Sequence, residues 1–238
     1  RVLVAALLAV VGLPGLVADG HAALHINQIT VDGSINPASA DYIIHAISKS
    51  EADGAAVLLI ELDTPGGLVA STQDIIQAML NAKVPTIVYV TPRGAWAASA
   101  GTMITIAGNI AAMTPGSSIG AAHPVSIGGG GGGGKEGEDG ARDPAMEKAA
   151  NLIASYVESI AKHRKRNVEW VADAVRNSVA VDAEKALELQ VIDLVASSRT
   201  ELLERVEGWE VEVEGKPRTL EIEGAVIVPI EMTILQSL

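Results

Sequence analysis

Ser99 is the residue whose type and setting most suggest chemistry. It stands in Gly94-Ala95-Trp96-Ala97-Ala98-Ser99-Ala100-Gly101-Thr102, after a strand-like run at residues 84–90 and before an Ala-rich apolar stretch. A serine at a strand-to-helix turn exposes its hydroxyl while the helix start offers unpaired backbone N–H groups. A small residue in tight helix packing has the same local sequence, so Ser99 alone leaves both readings open. A second segment, Asp63-Thr64-Pro65-Gly66-Gly67, follows an apolar run at residues 55–62. The glycine pair permits positive φ and lets a substrate approach with no Cβ in the way, and its N–H groups can face an oxygen. An ordinary strand-to-helix turn has the same composition.

A serine hydroxyl needs a base. His21, His25, His45 and His163 lack a motif around them; His123, in Ala122-His123-Pro124, follows the crossover after Ser99 and is the one histidine candidate. A lysine serves if burial lowers its pKa from about 10.4 toward about 7–8. Lys148 lies in the first turns of an otherwise apolar helix and shares a face with Leu152 and Tyr156, where burial is expected. Residue types alone do not separate that role from a surface lysine paired with Glu147. Lys135 sits in a glycine tract, Lys83 at a surface turn, and Lys162 and Lys165 in a charged run expected to be a solvated face.

The elements that must position these groups read as α/β. Residues 24–32 alternate as a half-buried strand; residues 38–50 form a helix; residues 55–62 and 84–90 are apolar runs of the kind covered on both faces of a parallel sheet. Residues 68–81 are amphipathic, and a short strand is expected at 110–113. Asp143-Pro144 is a cap-and-start pair for a long helix, followed by helices at 168–176 and 183–189 and a strand at 191–195. Residues 209–215 and 218–223 alternate as an acidic-faced hairpin. Strand and helix in alternation imply a right-handed, mostly parallel layered sheet, with ligand crevices beyond the C-terminal ends of its strands. Both candidate segments lie there.

Composition narrows the function. A net charge of −12 argues against nucleic acid as the main partner, and the absence of cysteine excludes disulfides and thiol chemistry. The histidines are dispersed, so no metal site is expected, and no cofactor motif is present. Residues 1–23, with Arg1 ahead of an apolar run and small residues, read as a signal peptide or N-terminal anchor. Residues 24–207 are expected to form the main domain. Residues 208–238 are expected to form a hairpin and a membrane-proximal segment of a longer chain. The run at residues 128–134 is unbroken glycine and reads as a flexible loop.

Glu61-Leu62-Asp63-Thr64-Pro65-Gly66-Gly67 with Ala97-Ala98-Ser99-Ala100-Gly101-Thr102 resembles the ClpP-class membrane serine proteases of the NfeD long form. The match extends through Met113-Thr114-Pro115-Gly116-Ser117-Ser118-Ile119-Gly120-Ala121-Ala122-His123-Pro124 and Ala183-Glu184-Lys185-Ala186-Leu187-Glu188-Leu189-Gln190-Val191-Ile192-Asp193, covering about residues 24–195. The resemblance implies a ClpP/crotonase-like fold related to signal peptide peptidase A, with a small C-terminal β-hairpin added. It implies Ser99 as nucleophile, Lys148 as general base, and the N–H groups of Gly67 and Ala100 as oxyanion donors. An extended peptide would lie along Gly66, Leu68, Val69, His123 and Val125. It also implies an extracytoplasmic, membrane-associated protease domain that assembles as a homo-oligomer and cleaves hydrophobic segments of stomatin-like proteins. Gln190 departs from the glycine expected at a turn after a helix. Two other readings use the same residues: a crotonase-like acyl-CoA enzyme, and a non-catalytic scaffold for stomatin-like partners.

Overall fold

The computed structural model describes residues 23–123 and 144–233. The elements run β1 (His25–Asp32), α1 (Pro37–Asp53), β2 (Val57–Asp63), α2 (Val69–Leu80), β3 (Thr86–Val90), β4 (Trp96–Ala98), α3 (Ala100–Ala107), β5 (Ile110–Met113) and β6 (Ser118–Gly120). They continue as α4 (Pro144–His163), α5 (Val168–Arg176), β7 (Ala180–Asp182), α6 (Ala183–Glu188), β8 (Leu194–Val195), α7 (Arg199–Val206), β9 (Glu210–Val213), β10 (Lys216–Thr219) and β11 (Val226–Pro229).

Six strands form the main sheet in the order β11-β1-β2-β3-β5-β8, every neighbouring pair parallel. The apolar run of β2 explains its central place, since alternate residues serve opposite faces. Leu58, Ile60 and Leu62 enter a core with the helices α1–α5, while Val57 and Leu59 enter a second core with Leu202 of α7 and Val211 and Val213 of the hairpin. A smaller sheet, β4-β6-β7, sits apart and carries the approach to Ser99. Sequence-coded caps set the helix limits: Asn36 Oδ1 accepts from the N–H groups of Ala38 and Ser39, the Ser39 hydroxyl accepts from Asn36 N–H, and Gly54 ends α1 at φ 73°.

Most expected elements stand within a residue or two of their predicted limits. The strand expected over residues 191–195 is shorter, because Val191 N–H is bonded to Ala186 O in closing α6 and only Leu194–Val195 joins the sheet. Strands β4, β6 and β7 are each three residues long, too short to show a period, and were not expected. Helix α7 and strand β11 were not expected either; β11 returns the C-terminal segment to the edge of β1, where the Tyr42 hydroxyl donates to Ile230 O. Gln190 adopts φ 57°, the conformation that glycine would have supplied. Lys162, His163 and Lys165 of the charged run are exposed as expected, but Arg166 at its end is 6% exposed, because the carbonyls at the end of α3 and the Asp193 carboxylate draw its guanidinium inward. No helix among the described residues is long and apolar enough to cross a membrane.

Candidate active site

The site begins with Thr64, at the end of β2. Its N–H donates to Trp96 O at 2.7 Å, and its carbonyl accepts from Ala98 N–H at 3.1 Å, which ties the end of the main sheet to β4. Its hydroxyl accepts the Gly66 N–H at 3.1 Å and so shapes the turn that follows. Thr64 is wholly buried, and its γ-methyl would lie 2.6 Å from a Cβ on Gly101, so α3 must carry glycine there to pack this close.

Ser99 directly precedes α3 with φ 52° and ψ −110°, a sparsely populated conformation for a residue with a Cβ. Its N–H donates to Gly120 O at 3.0 Å, and its carbonyl accepts from Met103 N–H at 3.3 Å. The Thr102 hydroxyl donates to Ala97 O at 2.8 Å and accepts from Gly120 N–H at 3.0 Å. These bonds from three segments hold the strained turn and leave the Ser99 side chain half-buried rather than sealed.

Gly66 presses against that side chain. At φ 115°, a Cβ on Gly66 would lie 2.7 Å from Ser99 Cβ and 3.2 Å from Oγ. Gly67 continues as a one-residue parallel bridge to Ile35. Ile35 N–H donates to Gly66 O at 2.8 Å, and Leu68 N–H donates to Ile35 O at 2.8 Å. In a trans peptide, C=O and N–H point in opposite directions. The Gly67 N–H and C=O therefore both face away from Ile35, along an exposed edge continued by Leu68 (38% exposed) and Val69 (45%). Ala100, first in α3, has an N–H with no partner within the helix. The N–H of the exposed Gly67 and that of the buried Ala100 have no hydrogen-bond partner among the described residues.

His123 stands beyond Gly120 and Ala122, its Nδ1–H donating to Val175 O at 2.9 Å. Because a carbonyl only accepts, Nδ1 carries the hydrogen of this bond. The ring forms one wall of an open cavity of about 620 Å³ with Asn151, Arg176 and Ser178. Val125, Lys135 and the expected cap Asp143 lie outside the described residues, as does the glycine tract.

Lys148 departs from expectation. It is exposed on α4, and Leu152, one turn on, is 72% exposed. The buried stripe of α4 runs instead through Ala150, Ile153, Ala154, Val157, Ile160 and Ala161, so the face shared by Lys148, Leu152 and the half-buried Tyr156 is turned outward. No hydrogen bond joins Lys148 to Ser99 among the described residues. No cluster of metal-ligating side chains occurs among them either. The sequence reading missed the roles of Thr64, Ile35 and Gly120 in building the turn. For Thr64 and Gly120 the signal was the Thr-Pro-Gly-Gly and Ile-Gly-Ala strings; Ile35 carried none.

A parallel sheet with a second small sheet, and a strained serine where the second sheet meets a buried helix, define a chain of the ClpP-like class. It belongs to the NfeD1b family: the N-terminal domain of NfeD1b matches residues 25–215. The chain is 34% identical over 183 residues to the membrane-bound protease PH1510 of Pyrococcus horikoshii, covering 77% of this chain and 40% of that protein. It is 26% identical over 142 residues to the membrane protein NfeD1b of Bacillus subtilis, covering 60% of this chain and 29% of that protein. The chain thus spans less than half the length of either relative.

Two solved structures are close in fold. The serine-to-alanine mutant of the 1510-N membrane-bound stomatin-specific protease superposes with a TM-score of 0.80 at 31% identity, covering 89% of this chain and all of that one. A lysine-to-alanine mutant of the same protease, in complex with a substrate peptide, gives 0.79 at 30% identity over 91% of this chain and 96% of that one. In sequence, Lys135 follows Ser99 by less, and Lys148 by more, than the spacing between the altered serine and lysine of those structures. The connection between the two residues therefore differs in length under either assignment.

Proposed function

We propose that the chain is the catalytic domain of a serine peptidase working through a Ser-Lys dyad. The observation that carries the reading is the strained Ser99 turn, pressed on Gly66 beside the free N–H groups of Gly67 and Ala100. Ser99 Oγ attacks the scissile carbonyl as neutral Lys148 takes its proton, and the oxyanion is held by Gly67 and Ala100 N–H with the positive end of α3 behind them. Lys148 then returns the proton to the leaving amine, and water releases the acyl group. A lysine reaches its neutral form when its surroundings are dry, so the exposed face of Lys148 must be covered during turnover. Homo-oligomerisation belongs to the same reading, and Leu152 is the exposed apolar group beside Lys148 that most needs cover.

The substrate is an extended segment that pairs with the free edge at Gly67 and then with the backbone near Ala122. Leu68 and Val69 beside that edge favour apolar side chains. With the relatives described as membrane-bound and stomatin-specific, the substrate class is a hydrophobic segment of a stomatin-like membrane protein, and the domain works extracytoplasmically at a membrane. No cofactor takes part.

The test combines covalent labelling by a fluorophosphonate with cleavage of a peptide from the apolar C-terminal region of a stomatin-like protein. Ser99→Ala should abolish both, and equal labelling of Ser99→Ala and wild type would reject the nucleophile. Lys148→Ala should stop cleavage while leaving the fold intact. Retained cleavage would move the base to Lys135 or His123, tested by alanine at each.

A further inference from the structure

The end of α3 opposite Ser99 is held by two arginines that the proposed reaction does not use. Arg166 Nη1 donates to Ile106 O at 2.9 Å and to Gly108 O at 3.1 Å, and Arg164 Nε donates to Ala107 O at 2.8 Å. These are the carbonyls left without intrahelical partners where a helix stops. Arg166 Nη2 pairs with Asp193 Oδ2 at 2.5 Å, and that oxygen also accepts the Ala111 N–H of β5 at 2.7 Å. Asp193 N–H in turn donates to Ala111 O at 2.8 Å. Burial, and next the Arg166 cation, pull Arg164 down to about 10, which leaves it charged at neutral pH.

A buried guanidinium with a single carboxylate is an expensive way to end a helix; hydrophobic replacement of such pairs is often neutral or stabilising. Arg166 Nε is buried and finds no partner among the described residues, so the group is oriented by the α3 carbonyls and Asp193 alone. Every residue of α3 is buried, so the helix cannot tilt freely, and its eight residues transmit an axial shift from one end to the other. The helix start carries Ala100 N–H and the Ser99 turn.

We propose that Arg166, oriented by Asp193, is a positioning residue for the Ser99 turn, setting the axial place of α3 so that Ala100 N–H meets the developing oxyanion. The inference rests on the Ser99 reading above. Two physical effects act together. The fork bonded to Ile106 O and Gly108 O fixes the helix along its axis. With Arg164 beside it, Arg166 also offsets the negative pole at the C-terminal end of α3, since the single Asp193 carboxylate cancels only one of the two cations. Neither effect touches the peptide-binding edge at Gly67–Val69. The residue therefore governs the chemical step and not substrate affinity.

Arg166→Met, Arg166→Lys and Asp193→Asn test this by fluorophosphonate labelling rate, by kcat and KM on the peptide, and by thermal midpoint, all measured well below unfolding. A displacement of about 1 Å at such a site costs on the order of 100-fold in rate. Arg166→Met should lose about tenfold to 100-fold in labelling rate and in kcat of the folded protein, with KM unchanged. Arg166→Lys, whose ammonium still reaches the carbonyls, should regain most of the rate. Asp193→Asn keeps an acceptor for Ala111 N–H but loses the charge that orients Arg166, and should fall between them. Wild-type kcat per folded molecule in Arg166→Met overturns the inference, as does a loss that appears only in KM. If Arg166→Met does not fold, wild-type labelling by both other variants overturns it equally. When Ser99→Ala abolishes labelling, such failures belong to the Arg166 inference alone. When it does not, the peptidase reading fails first.

Discussion

Gly66→Ala should uncouple the turn from the serine, and Gly33→Ala is its natural control. The two glycines have nearly the same φ, 115° and 114°. A side chain at either position meets the strain of the left-handed half of conformational space, about 1–3 kcal/mol. They differ in surroundings. A Cβ at Gly33 has no heavy atom within 4 Å, whereas at Gly66 it lies 2.7 Å from Ser99 Cβ. Carbon pairs prefer about 3.5–4.0 Å, so relief requires a shift of about 1 Å between the turn and the serine. Overpacking of this kind adds about 1–3 kcal/mol to the conformational strain. Thermal unfolding should therefore rank wild type above Gly33→Ala above Gly66→Ala, with about 2–4 °C lost per kcal/mol in a domain of this size. Fluorophosphonate labelling separates strain from site geometry. Gly33→Ala should label at the wild-type rate, and folded Gly66→Ala should slow on the order of 100-fold, because the reacting oxygen has moved by about 1 Å. Labelling of folded Gly66→Ala at the wild-type rate would refute the reasoning, and so would equal slowing in the two variants.

Thr64→Val keeps the methyl against Gly101 but removes the hydroxyl that accepts Gly66 N–H; urea unfolding should show a loss of about 1–3 kcal/mol, and labelling should slow with it. Ile104→Ala, in the fully buried α3, should lose about 2–5 kcal/mol in the same urea measurement. Burial raises the Tyr42 pKa above its ordinary value near 10, more than the opposing Thr30 backbone bond lowers it. The folded chain therefore keeps the proton where the unfolded chain has lost it. The stabilisation is complete below about pH 10 and is lost as pH rises through the folded value. The stability gap between wild type and Tyr42→Phe should shrink on going from about pH 9 to about pH 11, and a constant gap would count against this account.

Much of the fold was legible because its signals are local. The apolar run of β2 can be satisfied only by a strand covered on both faces, and Asn36-Pro37 with Ser39 caps α1 wherever that segment is placed. Gly66-Gly67 announced a turn because only glycine reaches φ 115° without strain. The three-residue strands β4, β6 and β7 were not legible, because a period cannot be read from three residues. Strand β11 was not legible either, since its place depends on the free edge of β1, about 200 positions earlier in the chain.

By itself, the sequence determined the alternation of elements, the glycine turn and the candidacy of Ser99, all of which follow from residue type and short-range spacing. Tertiary structure alone decided the strained φ of Ser99, the side to which the Gly67 N–H points, and the outward face of Lys148. It also turned Arg166 from an expected surface charge into a buried clamp on α3. These properties depend on which surfaces meet across the core. The α4 sequence offers both a Lys148 face and an Ala150–Ile153–Val157 face, and packing against α3 and α5 selects the second for burial. The carbonyls that Arg166 satisfies lie about 60 residues from it in sequence, and only folding brings them to hydrogen-bond distance.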